Sequence, residues 1–305
     1  MAKTALFLAA CALLCDFGCA KPSAFQAPVS KFHDATTSVL TSTKTYYTAL
    51  NKSERDHYID QQLAARKDIR LSEIDETQLL TSEDIAARLK ALDVLSQYSE
   101  LLYQLANSTA PSTIQSKATA LQKSVTGVSD EINKLGGPQD AQFKSATSAV
   151  FPIVGQVLQA FIDSKIEDAL KNAIKTGTKP VNDLIGAIET DMIVAYERKR
   201  NFLSEQRSAA VQQYERDLQS KVEQGKLQGD AQLISTTEDD WEVFQTASPT
   251  VGLEAMKQAD DALEKFVKTQ KPSITDFSSF ISAMEAFASA AQRVSTAVHQ
   301  LEKTN

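Results

Sequence analysis

The side chains able to do chemistry are few in this 305-residue chain, and they are scattered. Histidine occurs three times, as His33, His57 and His299, and none has a second histidine four residues away to share one helix face around a metal. Glu54 and His57 make one Glu-x-x-His, the half-site of a di-iron helical bundle, but that centre needs a second copy and two further inward glutamates. In SERDHYID the carboxylates around His57 fit an ordinary charged surface equally well. The pairs Asp239-Asp240 and Asp260-Asp261 are sequence neighbours, about 100° apart on a helix, so each reads as a solvated face or a cap rather than one pocket. No nucleophile elbow, phosphate loop or dinucleotide fingerprint occurs. The residues therefore predict no catalytic site, no metal site and no cofactor.

Cysteine narrows the field further. Cys11, Cys15 and Cys19 are the only three, and nothing after them carries a thiol. Lys3 followed by the apolar run 4–15 has the form of a signal peptide, too short to span a bilayer, which takes about 20 apolar residues. Gly18 and Ala20 then stand at the −3 and −1 places of a cleavage before Lys21. Gly18-Cys19 also resembles the lipobox of bacterial lipoproteins, with Asp16 and Phe17 where that family carries aliphatic or small residues. The resemblance implies lipid on Cys19 as the mature N-terminus, and Ala20 after it is similar to the family's outer-membrane sorting signal. Two destinations follow: an outer-membrane-anchored lipoprotein facing the periplasm, or a secreted or soluble periplasmic protein.

A thiol-free mature chain suits an oxidising compartment and excludes disulfides, cysteine-based metal sites and thiol nucleophiles. The net charge of −7 is the wrong sign for a nucleic-acid binder. The expected organisation is a leader over 1–19, a tether over 20–29 containing Pro22 and Pro28, and a single domain over 30–305.

What must position any site is helical. Glycine is rare, at 10 residues, aromatics are 7%, and no stretch alternates in the two-residue period of a strand. The predicted fold is all-α, an elongated antiparallel bundle of long helices. Helices are expected near 30–50, 53–66, 82–107, 111–135, 138–175, 180–228, 249–269 and 273–303, the first two as separate pieces or one kinked helix. Prolines 111, 138, 180, 249 and 272 mark starts, and Gly136, Gly137 and Gly177 mark ends. Thr81 and Ser82 offer a cap for a stripe through Leu92, Leu95, Tyr98 and Leu102. A second stripe runs through Phe277, Ile281, Met284, Ala288 and Val294, and a third through Met192, Tyr196, Leu203, Ala210, Tyr214 and Leu218. The dense charge around the third stripe suits a solvated coiled-coil face or a surface for a partner.

Two segments depart from this pattern. SATSAVFPIVGQVLQAFI, at 145–162, carries no charge and is interrupted by Pro152 and Gly155. It reads as a helix buried on nearly all sides. Long bundles with one hidden apolar segment also resemble helical pore-forming toxins, and that likeness implies a membrane-active element built from Val150, Phe151, Ile153, Val154, Val157, Leu158, Phe161 and Ile162. STTEDDWEVFQTAS, at 235–248, is the most irregular late region, where Trp241 and Phe244, rimmed by acids, could cap the bundle or anchor a partner. The function expected is an exported, non-catalytic interaction or structural module with an envelope protein as partner, the alternative being a membrane-perturbing bundle.

Overall fold

The computed structural model describes residues 22–76, 78, 80–107, 111–134, 145, 166–246, 248–269 and 273–304, and among these the regular elements are helices without a strand. They are α1 (Pro22–Ala65), α2 (Leu71–Glu76), α3 (Ser82–Asn107), α4 (Pro111–Lys134), α5 (Ile166–Gln219), α6 (Gln224–Thr246), α7 (Pro249–Lys268) and α8 (Ile274–Thr304).

The N-terminal helix corrects the expected tether. α1 is one helix of 44 residues that begins at Pro22, not at residue 30. Phe25, Val29 and Phe32, spaced by four and three, are buried on one face, and that burial is worth more than the solvated freedom of a linker. Proline suits the first helical position because the donor it lacks has no partner there. Pro28 lies inside the helix but close to its start.

α1 is packed by α3, α7 and α8. Lys44 against Asp93, and Asn51 against the Leu80 backbone, run α3 antiparallel to it. Phe25 against Phe266 sets α7 antiparallel as well, while Lys31 with Glu285 and Phe32 with Phe287 make α8 parallel. α4 folds back along α3, held by the Lys90–Glu131 and Lys117–Glu100 ion pairs. The N-termini of α1 and α8 and the C-terminus of α7 thus share one end, the base.

α5 is 54 residues, about 80 Å at 1.5 Å per residue. A break was expected between Gly177 and Pro180, yet the helix runs through both. Gly177 is not a cap. A Cβ there would lie 2.6 Å from a ring carbon of Tyr98, so the glycine lets α3 approach α5. Tyr98 is buried and its hydroxyl is engaged, so the ring cannot swing aside. Gly177→Ala is therefore expected to destabilise by about 1–3 kcal/mol through overpacking. Gly186→Ala, where nothing lies within 4 Å of the new methyl, should stabilise by about 0.5–1 kcal/mol. Urea-unfolding midpoints of the two variants should move in opposite directions.

The end of α5 also differs from expectation, at Gln219 rather than residue 228. It closes in a Schellman motif, Lys221 N–H to the Leu218 carbonyl and Val222 N–H to the Asp217 carbonyl, with Lys221 at φ 50° in place of the usual glycine. α1 ends the same way around Arg66. Starts follow the sequence more closely. Thr81 and Asp84 exchange side chain-to-backbone bonds of 2.9 and 3.1 Å ahead of α3, and Ser273 and Asp276 do the same ahead of α8. The buried face of α8 is Phe280, Met284, Phe287, Ala291 and Val294: Met284 and Val294 hold their expected places, Phe280 and Phe287 are buried instead of Ile281 and Ala288, and Phe277 is partly exposed.

Candidate functional site

Three polar clusters inside the bundle could do chemistry, and none was visible as a cluster in the sequence. In the first, Arg88 of α3 is 1% exposed and meets Asp191 of α5 with two bonds, 2.5 and 2.8 Å. The Tyr47 hydroxyl of α1 donates to the same carboxylate at 2.9 Å, and a third guanidinium nitrogen donates to the Asp84 carbonyl. Burial first, and then the Asp191 charge, push the Tyr47 hydroxyl well above the usual tyrosine range. This fork-on-carboxylate pair, with all three guanidinium nitrogens engaged, ties α1, α3 and α5 together.

The second cluster has the composition of a serine-hydrolase triad. His33 Nδ1 lies 3.2 Å from Ser99 Oγ, and Nε2 lies 3.3 Å from a Glu100 oxygen, with the ring stacked on Tyr103. Its geometry is wrong for attack. Ser99 is fully buried and donates its proton to the Ser96 carbonyl, so the hydroxyl is neither accessible nor delivered to the histidine. Glu100 is turned to Lys117 and Gln104 as well, and these partners hold it below the usual carboxylate range against the opposing effect of its own burial. The cluster joins α1, α3 and α4.

In the third, the sequence reading is corrected. Asp260, expected on a solvated face, is fully buried where α7 meets α3 and α5, and accepts a 3.2 Å bond from the Tyr98 hydroxyl. Its second oxygen has no hydrogen-bond partner. Burial pushes its pKa up to about 7, against the lowering effect of the Tyr98 hydroxyl. Asp261 does face outward, accepting from Asn182.

A different kind of surface lies beyond the bundle. The C-terminal half of α5 and α6 form an antiparallel hairpin whose buried or half-buried positions recur at three-, four- and seven-residue steps, through Leu203, Arg207, Ala210 and Asp217 on one side and Asp230, Thr237, Trp241 and Phe244 on the other. Near the bundle this seam is aromatic: Phe244 is buried and stacked on Tyr196 at 4.4 Å. Farther out it becomes polar. Arg207 lies 4.7 Å over the Trp241 ring and forms a bidentate pair with Glu238. At the tip Asp217 accepts from Lys226 at 2.8 Å and from Gln213 at 2.6 Å. Lys226 holds Asp217 below the usual carboxylate range, while partial burial beside Asp217 pushes Asp230 up. Between residues 211 and 236, Asp217 alone is buried. Val211, Leu218 and Leu233 in that stretch are 40, 51 and 49% exposed.

The residues singled out from the sequence fare unevenly. Phe244 is a packing residue rather than a free anchor, and Trp241 is half-buried on a regular helix, not in a loop. Leu218, expected in a covered stripe, faces solvent. Cys19 and the apolar residues 150–162 lie outside the described residues, as do the side chains of His57 and His299. Among the described residues no group of three or more His, Cys, Asp or Glu could hold a metal, and no helix is long and apolar enough to cross a membrane. No protein-family model, curated protein or solved structure matches this chain.

Proposed function

We propose that the protein is an exported, non-catalytic module of the bacterial cell envelope that binds a partner protein through the tip of the α5–α6 hairpin. One observation carries the reading: across residues 211–236 only Asp217 is buried, while three large apolar side chains stand exposed. A hairpin that buries so little apolar area gains little stability from its own seam, and ordering such a tip is repaid when a partner covers Val211, Leu218 and Leu233. The Arg88 and His33 clusters support the same reading, because their ionised groups are spent on ties between helices. Export rests on the leader-like residues 1–20 and on a chain without cysteine after Cys19.

A photo-reactive residue placed at 211, 218 or 233 in intact bacteria tests the proposal against the same residue at Lys123 or Gln292, which are exposed on α4 and α8. The expected result is an adduct of one defined mass from the tip positions. Adducts from Lys123 and Gln292 with none from the tip would contradict it.

A further inference from the structure

The base of the bundle, at the opposite end of α5 from this tip, has an exposed apolar patch of its own. Ile274, the first residue of α8, is 76% exposed, and Phe277 one turn later is 39% exposed. Phe277 packs on Phe266 at 5.9 Å between ring centroids, and Phe266 packs on Phe25 of α1 at 5.4 Å. The patch is therefore two ring contacts away from the first turn of α1. Lys265 and Lys268 lie in the last turn of α7 beside it, Lys268 paired with Glu264, and the one acid of the first α8 turn, Asp276, is committed to the Ser273 cap.

The length of chain that precedes α1 decides what covers this patch. Cys19 is three residues before Pro22 and six before Phe25. Three residues reach at most about 10 Å even when fully extended. Over so short a span, a lipid on Cys19 brings the Phe25 end of the bundle to the bilayer surface, and Ile274 and Phe277 arrive with it. We propose that Ile274 and Phe277 form a footprint that seats on the lipid surface beside the anchored N-terminus, so that α5 carries the α5–α6 tip away from the membrane. The inference rests on lipidation of Cys19. The footprint inserts two apolar side chains at the headgroup boundary and spans nothing, and Lys265 in the last turn of α7 meets the phosphates. The 54 residues of α5 then place the tip up to about 80 Å from the lipid.

The chain's only tryptophan, Trp241, is on the hairpin, which supplies an internal control. The test uses the full-length protein purified with its native N-terminus and reconstituted in vesicles of phosphatidylethanolamine, phosphatidylglycerol and a brominated phosphatidylcholine that quenches tryptophan on contact. Ile274→Trp, and separately Phe277→Trp, are expected to lose emission and shift to the blue, while the unaltered protein and Val211→Trp are not quenched. Both positions are partly or largely exposed, so the larger ring is accommodated, and circular dichroism of each variant confirms its helix content. A lipid mass on Cys19 with no quenching at either base position overturns the footprint and leaves the anchor standing, as does equal quenching of Val211→Trp. A mass for a chain beginning at Lys21 overturns the anchor itself and with it the footprint.

Discussion

Arg88→Ala should cost about 3–5 kcal/mol of folding stability. The guanidinium is almost wholly enclosed, and its removal leaves the Asp191 carboxylate, only 16% exposed, with the Tyr47 hydroxyl as its remaining partner. The cost comes less from a lost attraction than from an unneutralised charge kept out of water. Made in a Tyr47→Phe chain, so that no buried hydroxyl loses its acceptor, Arg88→Met combined with Asp191→Leu removes both charges and keeps apolar volume, and this double variant should recover most of the stability lost in Arg88→Ala. Guanidinium-unfolding midpoints of the single and double variants check this. A double variant as weak as the single one would mean that the fork geometry, and not the orphaned charge, accounts for the loss.

The second large effect is a pH dependence. Asp260 has its pKa raised to about 7 in the folded chain, against an ordinary value near 4 in the unfolded one. Between these values the folded state keeps a proton that the unfolded state has released, so stability falls as pH rises from about 4 to about 7 and is level above that. The full swing is about 4 kcal/mol. Other carboxylates work the opposite way: Asp276 and Glu100 are held below their ordinary range, and the stability they lend is lost as pH falls through acid. The difference between the wild type and Asp260→Asn isolates the buried group. Asparagine keeps an acceptor for the Tyr98 hydroxyl and does not titrate, so the wild-type advantage should shrink steadily from pH 4.5 to 7 and then stay constant. A difference that does not vary with pH would show that water reaches the second carboxyl oxygen and holds the acid near its ordinary strength.

How far the sequence carried the fold depends on which signal a residue sends. Stripes and N-terminal caps are local, and the helices opened by Thr81, Pro111, Pro249 and Ser273 begin where those residues predict. Helix ends were less legible. Lys221 and Arg66 occupy left-handed positions where glycine is the usual sign, and Gly177, which looks like an end, is a point of close approach inside a helix. The expected tether over 20–29 failed for a related reason, since Pro22 and Pro28 suggest a linker until Phe25 and Val29 are seen to complete the α1 stripe. Charged interior pairs were hidden by distance along the chain. Arg88 and Asp191 are 103 residues apart, Tyr98 and Asp260 are 162, and in the sequence each resembles one more solvated charge on a helical face. The hairpin tip was half legible. On the α5 side the spacing was there to read, but 229–248 was expected to be irregular rather than a second helix, and spacing alone does not tell that the seam turns from aromatic to polar at Arg207 or that Leu218 ends up in solvent.

The central claim is that residues 211–236 are a poorly buried extension offered to a partner. Hydrogen exchange on the intact protein, followed by mass spectrometry, addresses it directly. Amides of 211–236 should exchange at least about tenfold faster than those of α3, because their opening exposes little apolar surface. Protection of that stretch equal to α3 would mean that the hairpin is as firmly built as the bundle, and the account of it as an arm awaiting a partner would be wrong.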